Sequence, residues 1–173
     1  NTACAASCDA CNISGSLGTC SVGSAGSAGS PSCSPYLCNG VSAACPGSCT
    51  SDASCASGYF CDGLSQCSAK KPNGVSCAAP NECSSGNCVD GYCCNTACGA
   101  SCDQCNLAGS LGSCSPVPDG SAGSPSCSPY LCNGVSGSCP SSCVTAADCA
   151  SGYWCNASNQ CEAKKANGQT CSN

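Results

Sequence analysis

"CTSDASCASGYFCDGLSQC", residues 49–67, decides how this chain folds. Cys49, Cys55, Cys61 and Cys67 are evenly spaced, with Ser57-Gly58 after the second and Asp62-Gly63 after the third. Such dipeptides mark turns, because glycine takes positive φ freely and Asp bonds its own backbone. The stretch therefore reads as a four-cysteine module of two short strands and tight turns, for which three disulfide connectivities are open. "CAAPNECSSGNCVDGYC", residues 77–93, follows the same plan; residues 143–161 keep the cysteines and Ser151-Gly152 but carry Asn156-Ala157 in place of Asp-Gly.

These modules lie within a larger repeat. Cys4, Cys8, Cys11, Cys20, Cys33, Cys38, Cys45, Cys49, Cys55, Cys61, Cys67 and Cys77 recur 94 residues later as Cys98, Cys102, Cys105, Cys114, Cys127, Cys132, Cys139, Cys143, Cys149, Cys155, Cys161 and Cys171. Cys83, Cys88, Cys93 and Cys94 lie between the two sets. Residues 1–79 and 95–173 agree at 52 of 79 positions without a gap, so the chain is a tandem duplication, and that defines its architecture before any local motif does. "GSAGSPSCSPYLCNGVS" is unchanged between residues 26–42 and 120–136. In it Asn39-Gly40 is expected to turn, and Tyr36, Leu37 and Val41 to supply apolar bulk. Residues 22–32 resemble a flexible linker, but their counterpart keeps its length; an ordered loop clamped by Cys20 and Cys33 is expected.

Only 15 of the 173 residues are Leu, Ile, Val or Phe. At about 25 cal/mol per Å² of apolar area, so few large side chains cannot offset an ordering cost of about 1–2 kcal/mol per residue. The 28 cysteines supply the alternative. Each disulfide is typically worth about 2–4 kcal/mol, and all 28 cysteines are expected in structural disulfides. That density belongs to an oxidising compartment, so an extracellular or cell-surface chain is expected, although no signal peptide appears in these residues. The predicted fold is small and disulfide-rich: short β-hairpins and loops, little helix, two tandem homologous units in an elongated rod. The segments expected are 1–76, a four-cysteine connecting module 77–94, and 95–173. One short helical turn is expected where Cys4, Cys8 and Cys11 share a face at i, i+4, i+7.

The net charge is −5, and the cations are Lys70, Lys71, Lys164 and Lys165. That is too few for a nucleic-acid footprint, and no stretch is apolar enough for membrane insertion. Histidine is absent, so a Ser or Cys nucleophile has no usual base. The nine carboxylates fall mostly at turns; neither an enzyme nor a cofactor is expected. The Cys8/Cys11 and Cys102/Cys105 pairs would suit redox chemistry only beside a βαβ core, and C-x3-C-x2-C-x8-C would suit zinc, yet no dense Cys-x-Cys run accompanies it. No metal is expected. Asn12 and Asn156 open N-glycosylation sequons, neither of them repeated in the other copy. Tyr59-Phe60 and Tyr153-Trp154 recur in register, as partner contacts or as filling for the disulfide frame. Lys70-Lys71 is the one candidate for an inhibitory loop.

If Cys77, Cys83, Cys88 and Cys93 close one module, Cys94 must serve the second body. The first body then holds an odd number of cysteines and Cys171 lacks its module, so the two odd cysteines would allow head-to-tail self-association. If Cys77 and Cys171 belong to their own bodies, each body closes by itself.

"SSGNCVDGYCCNTACGASCDQCN", residues 84–106, resembles the cysteine-rich tandem repeats of large secreted or surface proteins from myxobacteria and related bacteria. In those, SG-x-C-V-D-G-x-C-C leads into C-x3-C-x2-C. The small modules also resemble EGF-type, Dickkopf-type and whey-acidic-type disulfide hairpins. The bacterial resemblance implies an extracellular location and a structural or adhesive role, and brings no catalytic residues. The function expected is a non-enzymatic structural subunit or segment of a filament, stalk or surface layer, with an adhesin or receptor-directed ligand as the alternative.

Overall fold

The computed structural model describes residues 4–169. Ten strands of two or three residues pair as five antiparallel hairpins. β1 (Asp9–Ala10) pairs with β2 (Ser21–Val22), β3 (Tyr59–Cys61) with β4 (Cys67–Ala69), and β5 (Cys88–Val89) with β6 (Tyr92–Cys93). β7 (Asp103–Gln104) pairs with β8 (Ser115–Pro116), and β9 (Tyr153–Cys155) with β10 (Cys161–Ala163). Three single 3₁₀ turns, η1 (Asp52–Ser54), η2 (Pro80–Glu82) and η3 (Ala146–Asp148), complete the regular structure among the described residues. The small disulfide-rich fold is as the composition demands.

The hairpin turns follow the residues that make them. Asp90 (φ 52°) and Gly91 (φ 80°) form the two-residue link between β5 and β6, the double positive φ that such hairpins favour. Asn39 accepts from the amides of Val41 and Ser42 at 2.9 Å while Gly40 takes φ 72°. The loop at 22–32 is ordered. Gly23 N–H donates to Cys8 O, Gly26 N–H to Cys38 O and Ser30 N–H to Ser7 O, at 2.7–2.8 Å. Val117, Gly120 and Ser124 repeat those bonds in the second copy.

Two compact units result. One comprises the chain up to Pro72 together with Ala79–Gly86; the other comprises Asn73–Ala78 and everything from Asn87. Segment 77–94 is thus shared between them. In unit 1 the disulfides are Cys4–Cys20, Cys8–Cys38, Cys33–Cys45, Cys49–Cys61 and Cys55–Cys67. Unit 2 has the same five in register, Cys98–Cys114, Cys102–Cys132, Cys127–Cys139, Cys143–Cys155 and Cys149–Cys161, and adds Cys77–Cys88 and Cys94–Cys105. Cys83 and Cys93 are disulfide-bonded as well. Modules 49–67 and 143–161 therefore use the first-to-third, second-to-fourth connectivity.

The cores are made of sulfur. In unit 1, Cys8, Cys33 and Cys38 form one buried cluster, and Cys49, Cys55 and Cys67 another, with Tyr36 and Tyr59 packed against it. In unit 2, Cys102, Cys127 and Cys132 enclose Val117, while Cys143, Cys149 and Cys161 take Tyr130 and Tyr153. No polar or charged residue is buried among those described.

Two local expectations fail. Cys4, Cys8 and Cys11 lie on no helical turn: Asp9–Ala10 is strand β1, held extended by its pairing with Ser21–Val22, and Cys4 and Cys8 bond to Cys20 and Cys38. Val41 supplies no buried bulk. It is 83% exposed, and Val135 in its register 82%, because the Asn-Gly turn projects both valines away from the cystine layer.

Candidate functional site

Cys11 follows β1 directly and, among the described residues, is the one free cysteine. It was expected in a structural disulfide like the rest; Cys171 lies outside the described residues. Its counterpart in register, Cys105, is bonded to Cys94. Cys77 pairs with Cys88 rather than within its own body, and Cys94 serves unit 2, which leaves the first body with the odd cysteine. The sequence carried that signal as a count, but only the Cys94–Cys105 bond says which cysteine is odd.

The Cys11 thiol is half-buried beside a disulfide. Its Sγ lies 2.9 Å from Cys4 Sγ and 3.4 Å from Cys20 Sγ, and its carbonyl accepts from Gly18 N–H at 3.0 Å. The Cys4, Cys11 and Cys20 sulfurs all lie within 4.8 Å of one another. Because Cys4 and Cys20 are bonded to each other, Cys11 alone offers a thiolate there. A single thiolate is a poor zinc site but a competent partner for thiol–disulfide exchange.

The four aromatic candidates separate. Phe60 is 8% exposed and belongs to the core of unit 1, where η2 packs on β3, so it is not a contact residue. Tyr59 and Tyr153 are half-buried against the cystine clusters. Trp154, in register with Phe60, is 42% exposed.

The carboxylates brace turns. Asp62 accepts from the Ser68 hydroxyl at 2.7 Å and from the Leu64 and Gln66 amides at 2.9 Å, bonds that hold its carboxyl below the ordinary value, Ser68 foremost. Asp52 is lowered first by the Cys61 amide and then by Asn81. Asp148 is lowered by the amides of Thr145 and Val144 as it closes a capping box on η3. Lys71 is ion-paired with Glu82, its N–H donates to Glu82 O at 2.7 Å, and its carbonyl accepts from Ser84 at 2.9 Å.

Both units carry an open groove in the same register, lined by Leu37, Asn39 and Pro46 in one and Leu131, Asn133 and Pro140 in the other. Unit 2 adds Asp119 and Asp148 where unit 1 has Ala25 and Ser54. No helix among the described residues is long and apolar enough to cross a membrane. Comparison with family models, with characterised proteins and with solved structures gives no match.

Proposed function

We propose that the chain is a non-catalytic extracellular structural protein, a repeat subunit or segment of a filament, stalk or surface layer. The observation that carries this reading is the composition of its cores: buried cystines, almost without large apolar side chains, on the same frame in both units. Such a frame resists heat and proteolysis. The resemblance of residues 84–106 to myxobacterial surface repeats supports the same reading. Self-association is the partner expected.

The test is negative-stain electron microscopy of material recovered from the extracellular and surface fractions, with immunogold labelling. Ordered polymers that carry the label support the proposal. Monodisperse protein that stays monomeric at high concentration, or label confined to the cell interior, overturns it. A binding module is the second reading, favoured by the exposure of Trp154. It predicts a monomer that loses cell or receptor attachment in Trp154→Ala.

A further inference from the structure

We propose that the face of unit 1 around Cys11 is a docking and disulfide-capture site for a cysteine-rich module of the same kind as residues 73–94, one that ends in Cys-Cys. Unit 2 shows how such a module sits. Cys94 is bonded to Cys105, whose exposure is 0%. Asp90, at the hairpin turn, accepts from the Cys105 amide through Oδ2 at 2.8 Å. Gly74 lies so close to Gly112 that a Cβ on Gly112 would overlap its amide nitrogen, and a Cβ on Gly74 would come within 3.2 Å of Leu111 O.

The receiving residues are the same in unit 1. Cys11-Asn12, Gly15-Ser16-Leu17-Gly18 and Cys20 stand in register with Cys105-Asn106, Gly109-Ser110-Leu111-Gly112 and Cys114. Their surroundings differ. Among the described residues none lies within 4 Å of a Cβ built on Gly18, and none accepts from the Cys11 amide. Leu17 is 76% exposed where Leu111 is 47%. Among the described residues, Cys11 thus keeps its thiol and an amide without an acceptor, beside the glycine whose counterpart in the second copy meets the module closely. The features required of the occupant are a sulfur in the register of Cys94, a carboxylate in that of Asp90 and a glycine in that of Gly74. This inference does not rest on the filament reading.

The covalent step is ordinary exchange. The Cys11 thiolate attacks the module's sulfur in a mixed disulfide; the new S–S bond forms, the old one breaks, and the leaving thiolate carries away the electron pair. Starting from two thiols, a small or protein disulfide oxidant accepts the two electrons and two protons.

The full chain is mixed with a synthetic peptide of residues 73–94 whose Cys94 is a mixed disulfide with thionitrobenzoate and whose other four cysteines are oxidised. Release of thionitrobenzoate gives the rate, and peptide mapping gives the acceptor. Docking raises the effective concentration, so the peptide should couple to Cys11 about tenfold or more faster than its Asp90→Ala version and than the thionitrobenzoate mixed disulfide of glutathione. Equal rates overturn the proposal, as does coupling at another cysteine. So does a chain that, alone in glutathione redox buffer, joins Cys11 to Cys11 or Cys171 of a second copy as fast as it takes the peptide.

Discussion

Asp62 accepts the Ser68 hydroxyl proton at 2.7 Å, and in unit 2 the corresponding pair runs the other way: Asn156 Nδ2 donates to Glu162 at 3.2 Å. The turn they brace is unchanged. Asn156 Oδ1 takes the amides of Ser158 and Gln160 at 2.9 and 3.0 Å, as Asp62 takes those of Leu64 and Gln66. The exchange of Asp-Gly for Asn-Ala is therefore a paired change, with the carboxylate moved from the turn to its strand neighbour.

That difference gives a pH prediction. Asp52, Asp62 and Asp148 all titrate below their ordinary value of 3.8 in the folded chain. The unfolded chain then binds more protons in that range, so their contribution is complete above about 3.8 and is lost as pH falls through the lowered folded values. Amide exchange at Leu64 and Gln66 should quicken below that pH, while Ser158 and Gln160, held by an amide oxygen, should respond less. Equal responses at the two turns would contradict this assignment. The disulfides should leave the topology intact throughout.

Reduction should abolish the fold. With cystine cores and each disulfide worth about 2–4 kcal/mol, circular dichroism after reduction and alkylation should show a disordered chain, whereas the oxidised chain withstands heating. Alkylation of the unreduced protein should label Cys11 and no other cysteine among residues 4–169. Label at Cys4 or Cys20 instead would mean that the three neighbouring sulfurs have exchanged partners.

The matched aromatics should differ sharply on truncation. Phe60→Ala removes a core side chain and should cost about 3 kcal/mol or more, whereas Trp154→Ala should cost under about 1 kcal/mol, as surface changes usually do. Hydrogen exchange in each unit reads both. Trp154 is the single tryptophan, so intrinsic emission should be red-shifted and readily quenched by acrylamide. A blue-shifted, protected emission would place the indole under cover.

Gly18→Ala and Gly112→Ala separate backbone conformation from close approach. Both glycines sit at positive φ, 82° and 83°, where an L side chain costs about 1–2 kcal/mol. Only Gly112 also faces Gly74 without room for a Cβ. The loss should therefore be larger at Gly112 and should include faster exchange at Asn95, whose amide donates to the Gly112 carbonyl.

Much of the fold was legible because it is written in cysteines and turns. Asp90-Gly91 and Asn39-Gly40 turn as their dipeptides require, and the length kept by residues 22–32 marked an ordered loop. What misled was periodicity in a chain without helices. Cys4, Cys8 and Cys11 match a helical face by spacing, but Asp9–Ala10 between them is strand, and of the three only Cys4 and Cys8 are bonded. Val41 read as scarce core material, yet a frame one cystine thick has an outer side on which apolar residues stay exposed. Phe60 and Trp154 occupy one register, and among the described residues η2 packs on the strand of Phe60 alone. The odd cysteine was countable, but its place depends on a bond from segment 73–95 that spacing alone did not assign.

The stretch between Pro72 and Asn87 alternates in allegiance: Asn73–Ala78 goes with unit 2, Ala79–Gly86 returns to unit 1, and Asn87 resumes unit 2. No single cut there yields two whole units, since any break strands a piece of one on the other. The period of genetic duplication and the period of folding are out of phase. A gene that lengthened by copying 94 residues would add, with each copy, both the piece its predecessor needs for completion and the piece its successor needs for a start. Growth by recombination would then leave every internal seam already sewn.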